Sequence, residues 1–205
     1  MDTKSLMIVG VGGQGTLLAS KVMGALLLKA EYDVKVSEVH GMSQRGGSVV
    51  TYVRWGSAVH SPIIDRGEAD YILAFEQLEA ARYLPFLRPG GLVVTNVDKI
   101  APMPVITGAV SYPEGLLEAL EKKGARVFSC DALELATRAG NARAVNMVLM
   151  GLLARRLDFA EELWEEAIRE TVPPRFVTEN LSAFRLGRAQ GTAKNQGIPP
   201  VGHGM

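Results

Sequence analysis

Gly10-Val11-Gly12-Gly13-Gln14-Gly15 follows the apolar run Leu6-Met7-Ile8-Val9 and precedes a helical pattern that begins near Thr16. Glycines at this spacing bare the backbone where a helix starts, and amides at a helix N-terminus attract an anion or a carbonyl oxygen. Gly10-x-Gly12-x-x-Gly15 also matches the dinucleotide fingerprint, and Glu38 falls roughly where a ribose-binding acid sits, about 20 residues on. A free-standing NAD(P)-binding oxidoreductase is therefore one reading; close strand–helix packing is the other. A second loop, His40-Gly41-Met42-Ser43-Gln44-Arg45-Gly46-Gly47, offers bare backbone again and adds a guanidinium. Small neighbours let the Arg45 fork approach carboxylate, phosphate or carbonyl oxygens, either on a partner or as a brace within the loop. His40 could act as a general base, but it has no companion nucleophile, and a lone histidine serves equally as a hydrogen-bonded structural group. The irregularly spaced Asp65, Glu68 and Asp70 read as a solvated loop with no metal cage. Asn141 after Gly140 reads as a helix cap. No acid–base pair, nucleophile set or Walker A sequence emerges, so no catalytic or metal-binding residue is assigned, and the chain supplies surface to another protein's chemistry.

The elements that position these loops alternate. Strand Leu6 to Val9, helix Thr16 to Ala30 and strand Val34 to Glu38 form a β-α-β unit. The first helix is apolar nearly all round, which buries it against the sheet and leaves a face for self-association of the isolated chain. Ser48 to Trp55 and Tyr71 to Phe75 read as strands, Gln77 to Leu84 as a short helix, and Arg88-Pro89-Gly90-Gly91 as a turn before strand Leu92 to Thr95. Met103-Pro104-Val105 reads as an edge segment, Pro113 to Lys123 as a helix and Arg126 to Ser129 as a strand. Beyond Asp131 the pattern is helical: Ala132 to Ala139, Ala142 to about Leu157, a helix entered through the capping spacing Asp158-Phe159-Ala160-Glu161, and Glu179 to Leu186. The fold expected is a three-layer αβα sandwich on a mixed, mostly parallel sheet with a helical C-terminal part. Residues 1–186 make one domain, and the glycine- and proline-rich residues 187–205 make a flexible tail.

Composition narrows the function further. The 22 basic and 22 acidic side chains cancel, so no broad field attracts nucleic acid or anionic lipid. No run reaches membrane-spanning length and the N-terminus does not read as a signal peptide, which makes the cytoplasm the expected compartment. The lone Cys130 rules out an internal disulfide and any cluster or zinc site built from cysteines of this chain. A Gly-Asp-Gly segment with a suitably spaced asparagine, the pattern that holds thiamine diphosphate through magnesium, does not occur.

With the two loops and the segments Ser37-Glu38-Val39-His40 through Val49, Phe75 through Arg82, Gly140 through Asn146 and Asn180 through Phe184, the chain resembles the gamma-type domain of 2-oxoacid:ferredoxin oxidoreductases. Within that family it is most similar to the beta subunits of indolepyruvate:ferredoxin oxidoreductases. The resemblance implies a subunit of an oxygen-sensitive complex that oxidatively decarboxylates arylpyruvates to acyl-CoA and passes electrons to ferredoxin. It implies a large partner subunit that carries thiamine diphosphate, Mg and the iron–sulfur clusters, with coenzyme A as co-substrate and none of these cofactors held by this chain alone. Gly12, Gly13, Gln14, Gly15, His40, Gly41, Met42, Ser43, Gln44, Arg45, Gly46 and Gly47 are the candidates for contact with that partner or with coenzyme A.

Overall fold

The computed structural model describes residues 2–38 and 47–190. Six strands, β1 Lys4–Val11, β2 Asp33–Glu38, β3 Ser48–Gly56, β4 Ala69–Ala74, β5 Leu87–Asn96 and β6 Arg126–Cys130, lie in the order β2-β3-β1-β4-β5-β6. β1, β4, β5 and β6 run parallel, while β3 is antiparallel to both of its neighbours, so the sheet is mixed and mostly parallel as the alternation implies. Side chains along β1 alternate between two cores. Leu6 and Ile8 join Leu73 and Val94 beneath α1 (Thr16–Lys29), α6 (Val145–Ala154), α7 (Glu161–Thr171) and α8 (Val177–Ala189). Met7 and Val9 join Ile72 and Val93 on the face covered by α2 (Gln77–Tyr83) and α4 (Leu116–Lys122). Helices on both faces complete the three layers.

α6 is buried from Asn146 to Ala154 because the sheet lies on one side of it and α8 on the other. The two helices touch backbone to backbone: a Cβ on Gly151 would stand 1.9 Å from the Phe184 carbonyl oxygen, and one on Gly187 1.9 Å from that of Val148. α7 follows its apolar stripe, with Trp164, Ala167 and Ile168 fully buried.

Five local expectations change. Met103–Ile106 is a one-turn helix, α3, and not an edge strand, because Pro104 sits in its first turn, where a missing amide costs nothing. Residues 88–91 do not precede β5 but bulge within it: Ala69 pairs with Leu87 and Tyr71 with Leu92. α4 begins only at Leu116, after Gly115 in the left-handed region, so Pro113 lies outside it. α7 begins at Glu161 with Ala160 as its cap, and Asp158 makes no cap bond, since it lies two residues too early. α8 runs to Ala189, three residues past Leu186, because Gly187 is drawn into the crossing with α6. Of the tail expected from residue 187 onward, residues 191–205 lie outside the described residues.

Asp70 is also no solvated loop residue. It is buried in β4, accepts the Ser5 amide at 2.9 Å, and pairs with Lys4 at 3.5 Å and Arg88 at 3.1 Å, tying the start of β1 to β5. Asn141 does cap, accepting the Arg143 amide at 3.0 Å.

Candidate functional site

The loop between β1 and α1 is built by its own Gln14. The Val11 amide donates to Gln14 Oε1 at 2.7 Å, and Gln14 Nε2 donates to the Phe75 carbonyl at 3.2 Å, so one side chain joins the C-terminal ends of β1 and β4. Gly10 leaves room for it: a Cβ there would stand 2.9 Å from Gln14 Oε1 and 3.2 Å from the Phe75 Cβ. Gly15, at φ 85°, caps α1, and its carbonyl accepts from Asn146 Nδ2 at 3.3 Å. Asn146 Oδ1 in turn accepts the Met147 amide at 2.9 Å. The α6 N-terminus is thus held against the glycine loop.

The second loop joins β2 to β3 at the same edge of the sheet. Val39 to Gly46 lie outside the described residues, so His40, Gly41, Met42, Ser43, Gln44, Arg45 and Gly46 remain candidates from sequence. Both flanks are described. Gly47 offers its carbonyl to the Gly12 amide at 2.8 Å, which brings the end of this loop beside the first. Ser48 Oγ donates to the buried carboxylate of Glu79, which also accepts from Arg82 Nε at 3.2 Å, while the Tyr83 hydroxyl lies 3.4 Å from Ser48 Oγ.

Glu76, next to Phe75, is 1% exposed and has no cation beside it among the described residues. Its carboxylate accepts the Glu79 amide at 3.0 Å, capping α2, the Ile100 amide at 3.3 Å, and the Tyr112 hydroxyl. One side chain therefore closes the segment from Ile100 to Tyr112, which exposes Met103 and Ile106 of α3 and Val110 beyond it. Burial, with donation to Glu76, pushes the Tyr112 phenol well above its ordinary value. Glu76, Glu79 and Asn146 escape a functional reading in sequence because their partners are distant along the chain. The signals available are an acid directly after a strand and three residues before a second acid, and an asparagine opening an apolar helix.

Chemically, this edge presents donors. No described residue accepts from the amides of Gly13, Gly15 or Thr16, which suits them to a phosphate or carbonyl oxygen from outside. The dinucleotide geometry is not met. Glu38 pairs with Thr51, which pairs with Ile8, and β3 separates β2 from β1 by about 10 Å in total. Glu38 is thus level with a residue two before Gly10, and its carboxylate accepts from Ser20 Oγ at 2.7 Å. Among the described residues no cluster of three or more His, Cys, Asp or Glu side chains is placed to hold a metal, and no helix is long and apolar enough to cross a membrane. Cys130 is buried, and desolvation followed by the charge of Asp131 pushes its thiol up to about 12.

The model of the pyruvate ferredoxin/flavodoxin oxidoreductase family matches residues 5–190. Subunit IorB of indolepyruvate oxidoreductase from Thermococcus kodakarensis is 44% identical over 192 residues, 91% of this chain and 95% of that protein. The IorB subunit of Archaeoglobus fulgidus is 41% identical over 190 residues, 91% of this chain and 94% of that one. Among solved structures, the gamma subunit of a keto/oxoacid ferredoxin oxidoreductase from Geobacter sulfurreducens superposes with a TM-score of 0.66 at 22% identity, covering 90% of this chain and 95% of that one. A 2-oxoglutarate:ferredoxin oxidoreductase from Magnetococcus marinus superposes with a TM-score of 0.71 at 20% identity, covering 97% of this chain and 32% of the longer one. At these identities the structural likeness is one of fold.

Proposed function

Because the chain belongs to the pyruvate ferredoxin/flavodoxin oxidoreductase family, we infer that it is the cluster-free small subunit of a 2-oxoacid:ferredoxin oxidoreductase of the indolepyruvate type. The observation that carries this reading is the 44% identity to an IorB subunit over 91% of this chain, together with the family match over residues 5–190, which takes in both glycine loops and the helical C-terminal part. The complex oxidatively decarboxylates an arylpyruvate, transfers the acyl group to coenzyme A and passes the electrons to ferredoxin. A larger partner subunit holds thiamine diphosphate, Mg and the iron–sulfur clusters. A single buried thiol accords with work in the cytoplasm.

The contribution of this chain is a docking edge. Gly12, Gly13, Gln14 and Gly15 on the first loop, and His40 to Gly47 on the second, meet the partner subunit and the coenzyme A bound there. Supporting this, the first loop offers amides that no described residue accepts from and is clamped from three sides, by Phe75, Gly47 and Asn146, so it presents a fixed surface. A free-standing nicotinamide enzyme is disfavoured by the intervening β3 and by the engagement of Glu38 with Ser20.

The test is reconstitution. The chain and its large partner, each produced alone and then combined anaerobically, are assayed for ferredoxin reduction with indolepyruvate, pyruvate and 2-oxoglutarate in the presence of coenzyme A. Activity is expected only in the combined sample and greatest with indolepyruvate. Full activity of the large subunit alone, or stoichiometric thiamine binding by this chain alone, would overturn the assignment.

A further inference from the structure

The opposite, N-terminal edge of the sheet gathers guanidinium groups that no described carboxylate neutralises. Arg126 opens β6 on the same face as Phe128, two residues later. Arg156, just past α6, places its guanidinium over the Phe128 ring, 3.6 Å from the ring centroid. The Nε atoms of both arginines are buried and have no hydrogen-bond partner. Burial first, then repulsion from Arg155 and Arg126, holds Arg156 below its ordinary value, so the charges crowd one another. Asp70, the buried acid at this edge, is already shared by Lys4, Arg88 and the Ser5 amide. Tyr71, stacked on Trp55 at 6.1 Å, feels both Arg88 and Arg126.

Two half-buried like charges, Arg156 stacked on the Phe128 ring and Arg126 two residues before Phe128 on the same face of β6, repel each other and are poorly hydrated, an arrangement that favours a multiply charged anion between them. We propose that Arg126 and Arg156, the latter stacked on Phe128, form a binding site for the phosphate group of a small molecule. A phosphate monoester carries about −1.5 to −2 at neutral pH, which matches two guanidiniums, whereas a lone carboxylate would leave one uncompensated. Phosphate oxygens also suit the paired N–H groups of the guanidinium fork. The site is remote from the glycine loops, and its existence does not depend on the assignment of the chain as an oxidoreductase subunit.

Titration of the full chain with inorganic phosphate and with pyrophosphate, by calorimetry and by thermal denaturation, tests this. Saturable binding is expected, and Arg126→Gln and Arg156→Gln should each weaken it about tenfold, the effect of losing one charge-assisted contact. Arg126→Lys should fall between, and Arg66→Gln, at an exposed position, should bind as the parent does. Phosphate should raise the melting temperature of the parent and not of Arg126→Gln. If Arg156→Gln fails to fold through loss of its stack on Phe128, the two Arg126 variants carry the comparison. Absence of saturable binding to the parent, or equal binding by the parent and Arg126→Gln, overturns the proposal.

Discussion

Asn146 holds the carbonyl of Gly15 at 3.3 Å, and a Cβ on Gly15 would come within 2.6 Å of the same Asn146 nitrogen. The two residues, 131 positions apart, therefore form one joint between α6 and the cap of α1. Gly15→Ala must place a side chain at φ 85° and push Asn146 away, which should cost about 2–3 kcal/mol. Asn146→Ala loses the bond to Gly15 and the acceptor for Met147, at about 1–2 kcal/mol. The double variant makes room for the new methyl, so it should be less destabilised than the sum, by about 1 kcal/mol. Denaturant unfolding of the four proteins measures this coupling, and strict additivity would show that the joint does not exist.

Glu76 gives a second test. Glu76→Gln keeps the shape, but its amide must turn an NH2 towards at least one of the donors from Glu79, Ile100 and Tyr112. That mismatch should cost about 1–3 kcal/mol, at roughly 2–4 °C of melting temperature for each. The pH dependence has a definite sign. The folded state keeps the Tyr112 proton to a higher pH than the unfolded chain, whose phenol titrates near pH ~10. Above that pH the unfolded state binds fewer protons, so stability present below it is lost as pH rises towards the folded value. Tyr112→Phe should flatten this alkaline loss, as melting curves across that range will show.

Much of this scaffold is legible locally and some of it is not. The apolar run at Leu6, the glycine loop and the helical period after Thr16 give the first β-α unit, because each depends only on neighbouring residues. Strand order is different: nothing near Ser48 says that β3 inserts between β1 and β2, and that insertion is what removes Glu38 from the place a ribose-binding acid would take. Pro104 reads as a sheet-edge residue and also as a helix first-turn residue, and local pattern does not choose. Asp70 reads as solvated because its partners lie on β1 and at the bulge of β5, and burial by distant segments leaves no mark in a short window. The candidate loops are plain in the glycine spacing; the side chains that clamp them, Asn146 and Glu79, come from helices far along the chain.

Cys130 should be inert in the native protein. With its thiol pushed up to about 12 by burial, almost no thiolate, the form that attacks an alkylating or disulfide reagent, exists at a pH of about 8. One thiol per chain should therefore react slowly with a thiol-specific chromogenic disulfide until denaturant is added. Immediate native labelling would mean that the C-terminal end of β6 opens far more readily than its packing indicates.

Arg45 tests the docking edge from the sequence side. Arg45→Ala should leave the melting temperature of the free subunit nearly unchanged while weakening assembly with the large subunit or raising the Michaelis constant for coenzyme A. Arg45→Lys should recover only part, since an ammonium keeps the charge without the planar fork. A large fall in melting temperature for Arg45→Ala would instead assign Arg45 as an internal brace.

Three glycines in helices separate propensity from packing. In an exposed helix, glycine to alanine gains up to about 1 kcal/mol, because alanine loses less backbone entropy. A Cβ added at Gly24 in α1 would meet nothing within 4 Å, so Gly24→Ala should collect that gain and raise the melting temperature by roughly 2–4 °C. Gly151 and Gly187 face backbone carbonyls of the opposing helix, 1.9 Å from where a Cβ would stand, and a backbone atom cannot swing aside as a side-chain tip can. There α6 and α8 must move apart, exposing apolar surface around Val148 and Phe184, both fully buried. The cost should reach about 3 kcal/mol or more, the upper end for overpacking, and overwhelm the propensity gain. Calorimetric scans of the three single variants decide it: Gly24→Ala above the parent, Gly151→Ala and Gly187→Ala well below. Equal melting of Gly151→Ala and parent would mean that the two helices do not cross in contact.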